Sequence, residues 1–191
     1  TAKPAGETPA LQGCLMNIGR LLTQAVMVLA MLGCHLPVAT AQDVATEQSV
    51  RAAMVFNFLK FADFPGDGVG KPVLQLCVAA RDARQAEALA ALSGRRVGGR
   101  KLNVVEFTAR SNDCQIFYVD SRQRWNAVAE QPALRQALTI SEYPGFARDG
   151  GMIEIDVQND GARFDINLAE TKRAGLHFSP QMLRLARQIH E

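Results

Sequence analysis

The feature that most constrains the fold is a run near the C-terminus in which apolar and polar residues alternate on both sides of a turn. Ile153, Ile155 and Val157 alternate with Glu154 and Asp156, Asn159-Asp160-Gly161 follows, and Ala162, Phe164 and Ile166 then alternate with Arg163, Asp165 and Asn167. A period of two sends successive side chains to opposite faces of a strand, so the run predicts a β-hairpin with one buried face. A glycine two residues past an asparagine can take the positive φ that a tight hairpin turn requires. Glu154, Asp156, Arg163, Asp165 and Asn167 are expected on the solvent or site face. There Asp156 and Asp165 beside Arg163 form a surface ion-pair set of small energetic weight.

Downstream, Leu168 to Ala174 predicts a short helix stopped by Gly175, which suits the left-handed position past a helix end. Ser179-Pro180 predicts the start of a last helix. A serine at the N-cap accepts a bond from a free backbone N–H, and proline next to it lacks the N–H that would go unpaired there. Met182, Leu183, Leu185, Ala186 and Ile189 are expected on the buried face of that helix, with Gln181, Arg184, Arg187 and Gln188 outside.

Upstream, Ser49 to Ala62 predicts a helix that is apolar on nearly all sides, and Phe64-Pro65-Gly66-Asp67-Gly68 ends it. Its aromatics read either as core or as contact with a partner protein. Val73 to Ala79 predicts a strand covered on both faces, followed by a helix over Ala83 to Leu92. Arg95, Arg96, Arg100 and Lys101 cluster around the Gly94 to Gly99 turn, either as solvated surface or facing an anionic ligand or lipid headgroups. Leu102 to Phe107, Gln115 to Val119 and Ala137 to Ile140 predict three more strands. Arg124 to Gln131 predicts a helix anchored by Trp125 and interrupted at Pro132, with one further turn over Ala133 to Gln136. This alternation predicts an α/β fold: a mostly parallel central sheet with helices on both faces and a C-terminal antiparallel hairpin.

The N-terminal segment reads differently. Leu21 to Leu36 is almost uncharged, follows Arg20 and leads to Ala39-Thr40-Ala41, which together describe a secretory signal peptide cleaved after Ala41. The apolar run of about 16 residues is short for a membrane span, which needs roughly 20. Residues 1–41 are thus expected to be a signal peptide with an N-terminal extension, Met16 being a candidate start, and 42–191 one periplasmic domain. Met31-Leu32-Gly33-Cys34 is a rival lipidation site at Cys34, weakened by Met where Leu is usual.

With 48% apolar and 21% charged residues in 191, and a net charge of +2 carried by dispersed cations, no nucleic-acid partner is expected. Cleavage would leave two cysteines, Cys77 and Cys114. In an exported domain these are read as bonded rather than as free buried thiols. Closing a loop of about 37 residues stabilises by at most about 4 kcal/mol in the chain-entropy picture. Motifs for nucleophilic, metal or phosphate chemistry are not found, so no catalytic residue, metal or cofactor is assigned. His35 falls in the signal segment and His190 near the C-terminus, while His177 reads as a capped surface residue or a functional one.

The run from Gly150 through Ile153-Glu154-Ile155-Asp156 and Gly175-Leu176-His177-Phe178-Ser179-Pro180 to Arg187 resembles the closing motif of the YfiR family of small periplasmic proteins. Phe58-Leu59-Lys60-Phe61-Ala62-Asp63-Phe64-Pro65, the Cys77 and Cys114 pair, and Ile140-Ser141-Glu142 to Pro144-Gly145-Phe146 extend it over roughly 48 to 190. The resemblance implies a non-enzymatic repressor. Such a protein binds the periplasmic sensory part of an inner-membrane diguanylate cyclase, lowering cyclic di-GMP and biofilm formation. It implies a structural disulfide between Cys77 and Cys114, and places Asp165, His177 and Ser179 where relatives contact a ligand or partner. His177 and Ser179 depart from the acidic, basic and His set of some relatives, and no second disulfide surrounds Gly150-Gly151. The candidate partner surface is Phe58, Lys60 and Phe61. The candidate ligand set is Arg163, Asp165, His177, Ser179, Arg184 and Arg187. A small-molecule ligand and a homodimer stay open, and the alternative function is a periplasmic anion-binding module without a cyclase partner.

Overall fold

The computed structural model describes residues 46–64, 72–108, 111, 113–158 and 161–191, all within the unit Val44–Glu191. The expected signal peptide, its cleavage site, Cys14 and Cys34 lie outside the described residues.

Helix α1, Glu47–Phe61, begins at Thr46, whose hydroxyl accepts from Ser49 N at 3.2 Å. Strand β1 is Ala62–Asp63, β2 is Val73–Ala79 and α2 is Ala83–Ala90, the last capped by Asp82. A small antiparallel hairpin follows, β3 Arg96–Val97 and β4 Arg100–Glu106, where the sequence suggested only a turn before the strand. Next come β5, Ile116–Val119, helix α3, Arg122–Val128, a 3-10 turn at Pro132–Leu134, and β6, Leu138–Ser141. The chain closes with β7 Ile153–Gln158, β8 Gly161–Asn167, α4 Leu168–Arg173, β9 His177–Phe178, α5 Pro180–Leu185 and β10 Gln188–His190.

Eight strands form one sheet in the order β10-β8-β7-β6-β5-β2-β4-β3, while β1 and β9 pair separately. The five strands β4-β2-β5-β6-β7 are mutually parallel, and β8 returns antiparallel to β7 as the predicted hairpin. The α/β architecture with helices on both faces is as expected. Strand periodicity explains the two layers. Leu74, Leu76, Val78, Ile116, Tyr118, Leu138, Ile140, Ile153, Phe164 and Ile166 build one core with Val55, Phe58 and Leu59 of α1, Leu89 of α2 and Met182 of α5. Their neighbours Cys77, Ala79, Phe117 and Val119 turn to the other face and pack with Trp125, Leu134, Tyr143 and Phe146. Cys77 and Cys114 are bonded there, closing a separation of 37 residues.

Two expectations are corrected. The last helix stops at Leu185 instead of running to Ile189, and its cap is as read, Ser179 Oγ accepting from Met182 N at 3.2 Å. The residues after it become β10, parallel to β8 with Ile189 opposite Ile166, so Leu185 and Ile189 are exposed at 67% and 38%. The polar face of the hairpin meets solvent only toward its tip, where Arg163 is exposed. Glu154 and Asp165 are 8% and 5% exposed, because the segment Tyr143 to Gly151 and the C-terminal residues lie across them. Gly151 permits that coverage: a Cβ there would come within 2.2 Å of the Phe146 ring.

Candidate functional site

The polar end of the sheet is built from charges that satisfy each other. Glu154, at the start of β7, accepts from Gly145 N at 3.0 Å and from Ala147 N at 3.2 Å. Asn167 donates to Ala147 O at 2.7 Å and caps α4 by accepting from Glu170 N at 3.0 Å. Arg187 meets Asp165 as a two-pronged pair, Nε to Oδ1 at 2.9 Å and Nη2 to Oδ2 at 2.8 Å. Its remaining Nη1 reaches Asp156 Oδ2 at 2.6 Å. These bonds, first of all those to Asp165, hold the guanidinium pKa above its ordinary value. Burial works against the Asp156 carboxylate, yet hydrogen bonds from Gln158 and Arg187 keep its pKa below the usual carboxylate value.

The candidate ligand residues therefore divide. Asp165 and Arg187 are brought together, and they neutralise each other. Arg163 is exposed on β8, in register with Asp156. Ser179 is committed to the helix cap, and its backbone N–H donates to Phe61 O at 2.9 Å. His177 is exposed on β9, in register with Asp63 of β1. Arg184 is exposed on α5. An anion approaching this end would meet an Arg187 whose charge is already matched by two carboxylates.

The candidate partner residues divide as well. Phe58 is buried at 5% exposure with its ring centroid 4.8 Å from Phe164, so it is core and not surface. Phe61 is half-buried against the same core, and Lys60 is exposed, its ammonium 4.8 Å over the Phe56 ring. The basic loop also leans on that ring: the Arg95 guanidinium carbon lies 3.6 Å from its centroid.

A second polar cluster, which the sequence reasoning passed over, sits beyond the carboxyl ends of β2, β5 and β6. Tyr118 donates to Glu142 Oε2 at 2.7 Å, and Arg51 Nε lies 3.0 Å from the same oxygen. Burial raises the Glu142 carboxyl pKa against the opposing pull of Tyr118 and Arg51, and burial with the Glu142 charge raises the Tyr118 phenol. Asp120 Oδ2 accepts from the backbone N–H groups of Arg81 and, at 3.3 Å, Asp82. Asp82 in turn accepts from Arg84 N at 2.9 Å, the main reason its carboxyl lies below its ordinary value. The available signal was positional: Arg81-Asp82, Asp120-Ser121 and Ser141-Glu142 are the first polar residues after three predicted strands.

Among the described residues, no group of three or more His, Cys, Asp or Glu is placed to hold a metal ion, and no helix is long and apolar enough to cross a membrane.

Known proteins give the following comparisons. No curated protein matches the chain. Among solved structures, a conserved domain protein from Vibrio cholerae O1 biovar El Tor is 11% identical with a TM-score of 0.48. That match covers 75% of this chain and 60% of the other. Residues 48–187 match the YfiR/HmsC-like family, from the start of α1 through the arginine that locks the hairpin. By that match over most of its length, the chain belongs to the YfiR/HmsC-like family.

Proposed function

We propose that this protein is an exported, non-enzymatic periplasmic regulator that binds the periplasmic sensory part of an inner-membrane diguanylate cyclase and restrains it. Family membership over residues 48–187 is the observation that carries this reading. Export would follow from the N-terminal segment ending at Ala41. A repressor that prefers the inactive cyclase shifts its population by the difference in affinity for the two conformations and no further.

The candidate contact surface is the C-terminal one. Leu185 projects from α5 at 67% exposure, and Ile189 follows on the edge strand β10. The Ser179 N to Phe61 O bond joins the start of α5 to the end of α1, so Lys60 and Phe61 belong to the same region. Exposed apolar side chains rimmed by polar residues mark protein–protein contact sites.

The test is cellular cyclic di-GMP in the host lacking the gene, complemented with wild type or Leu185→Asp. Deletion is expected to raise cyclic di-GMP and wild type to restore it. Leu185→Asp should fail to restore it while melting within a few degrees of wild type, since its side chain is mostly in water. An unchanged cyclic di-GMP level on deletion would remove the cyclase reading, and full rescue by Leu185→Asp would remove α5 from the contact.

A further inference from the structure

An open parallel sheet has a crevice where its strand order reverses, outside the carboxyl ends of the two strands from which the chain departs in opposite directions. Ligands of α/β proteins bind there. In this sheet the reversal falls between β2 and β5, since the chain goes from β2 to β4 on one side and then returns to β5 on the other.

Buried polar atoms without a partner are costly and uncommon in folded proteins. Among the described residues they are Arg51 Nε, both amide atoms of Gln85, Asp120 Oδ1, Ser121 Oγ and Arg124 Nε. All five residues stand at this one end of the sheet. Asp120 and Ser121 directly follow β5, Arg124 is in the first turn of α3, and Gln85 is in the first turn of α2. Arg51 reaches the same end from α1 by its ion pair with Glu142, the residue after β6. Its Nε is 3.0 Å from the carboxylate without directing its N–H into a hydrogen bond. Gln85 is fully buried, and the Asp120 side chain is 8% exposed.

The geometry around Asp120 is specific. Its Oδ2 is fixed by the backbone N–H groups of Arg81 and Asp82, which leaves Oδ1 facing Arg124 Nε at 3.9 Å. That separation is too long for a hydrogen bond. The two groups stay an ion pair, with the Arg124 N–H and an Asp120 lone pair each lacking a hydrogen-bond partner. A cleft of about 390 Å³ between α2 and the ends of β2 and β4 lies on the other side of β2 from this reversal and is lined by none of these five residues.

Charge narrows the ligand class. Arg51, Arg81 and Arg124 are balanced by Asp82, Asp120 and Glu142, and the anion position at the start of α2 is filled by Asp82 itself. What goes unmatched is a mixture of donors and acceptors, and hydroxyl groups supply both. We propose that the crevice at the carboxyl ends of β2 and β5 binds a small neutral polyhydroxylated molecule, of the monosaccharide or polyol class, through Asp120, Ser121 and Arg124, with Arg51 and Gln85 lining it. The site is independent of the C-terminal contact surface and stands whether or not a cyclase is the partner.

The experiment is a titration of the ¹⁵N-labelled protein with D-glucose, D-galactose, myo-inositol and glycerol, with phosphate and glycine betaine as charged and zwitterionic probes. The expected result is a saturable shift of the Asp82 and Asp120 to Arg124 amides with at least one neutral probe. The Kd should rise about tenfold in Ser121→Ala and Asp120→Asn, the loss expected when one hydrogen bond to the ligand is removed. Gln85→Leu is expected to melt at or above the wild-type temperature, because an apolar side chain replaces an unpartnered amide. A shift with phosphate or betaine alone, no saturable shift with any neutral probe, or a lowered melting temperature in Gln85→Leu would each overturn the proposal.

Discussion

The hairpin end of the sheet and the crevice beyond β2 and β5 are made of the same residue types and differ in how completely those residues satisfy one another. On the hairpin, both oxygens of Glu154 take backbone N–H groups and both oxygens of Asp165 take Arg187. At the crevice, Asp120 has one oxygen bonded and one orphaned, and Arg124 and Gln85 carry further unmatched atoms. A buried carboxylate whose lone pairs are all used fixes the fold, because removing it strands its partners. One left half-used weakens the fold and retains a valence for something else.

The two regions should therefore respond in opposite directions to deletion of a polar group. The largest expected effect is at Glu154. Glu154→Ala strands two buried backbone donors under the Tyr143 to Gly151 segment and should cost about 3 kcal/mol in urea unfolding. Near-wild-type stability would mean that this carboxylate does not organise the segment, and the contrast would fail.

Arg187→Ala comes next. Breaking a fully buried ion pair costs about 3–5 kcal/mol, and with the Arg187 side chain 39% exposed the expected cost here is about 2 kcal/mol. Arg187→Lys should recover only part of it, since an ammonium cannot reproduce the two-pronged contact with Asp165. The acid limb carries a sign. The Asp156 pKa is lowered in the folded state, so its contribution is present above the unfolded value near 3.8 and is lost as pH falls through the depressed one. Arg187→Ala should flatten that limb.

At the crevice the direction reverses, with Gln85→Leu expected to gain about 1 kcal/mol. The smallest effect is at Glu142, where burial raises the carboxyl pKa. A raised folded value means that stability from this group is fully present below about 4.5 and declines as pH rises through the folded pKa. Unfolding midpoints across that range should slope less in Glu142→Gln, and an unchanged slope would place the titration elsewhere.

Local sequence carried much of the architecture. The Val73–Ala79 strand, the Ser179-Pro180 helix start and the alternating hairpin are each decided by neighbours within a few residues, and each forms where its pattern put it. The last helix misled because Met182, Leu183, Leu185, Ala186 and Ile189 keep helical spacing. The backbone after Leu185 is instead drawn out by pairing with β8, whose register places Gln188 against Asp165. Tertiary pairing overrode a local period. Glu154 and Asp165 misled for a related reason. Alternation identifies which residues share a face but not whether that face is later covered, and the cover is Tyr143 to Gly151 and Arg187, remote in the chain from one or both of them. The orphan atoms beyond β5 were invisible for the same cause, since an unmatched valence exists only once the strands are assembled.

The chain contains a single tryptophan. Trp125 is 5% exposed, its ring centroid 5.0 Å from that of Phe146, and its indole N–H donates to Asp149 O at 3.0 Å. Both contacts lie in the segment that covers Glu154, so the intrinsic fluorescence of the whole protein reports on that one cover. A red shift in emission on Glu154→Ala, without loss of far-ultraviolet circular dichroism, would register the cover lifting while the sheet beneath it stays intact.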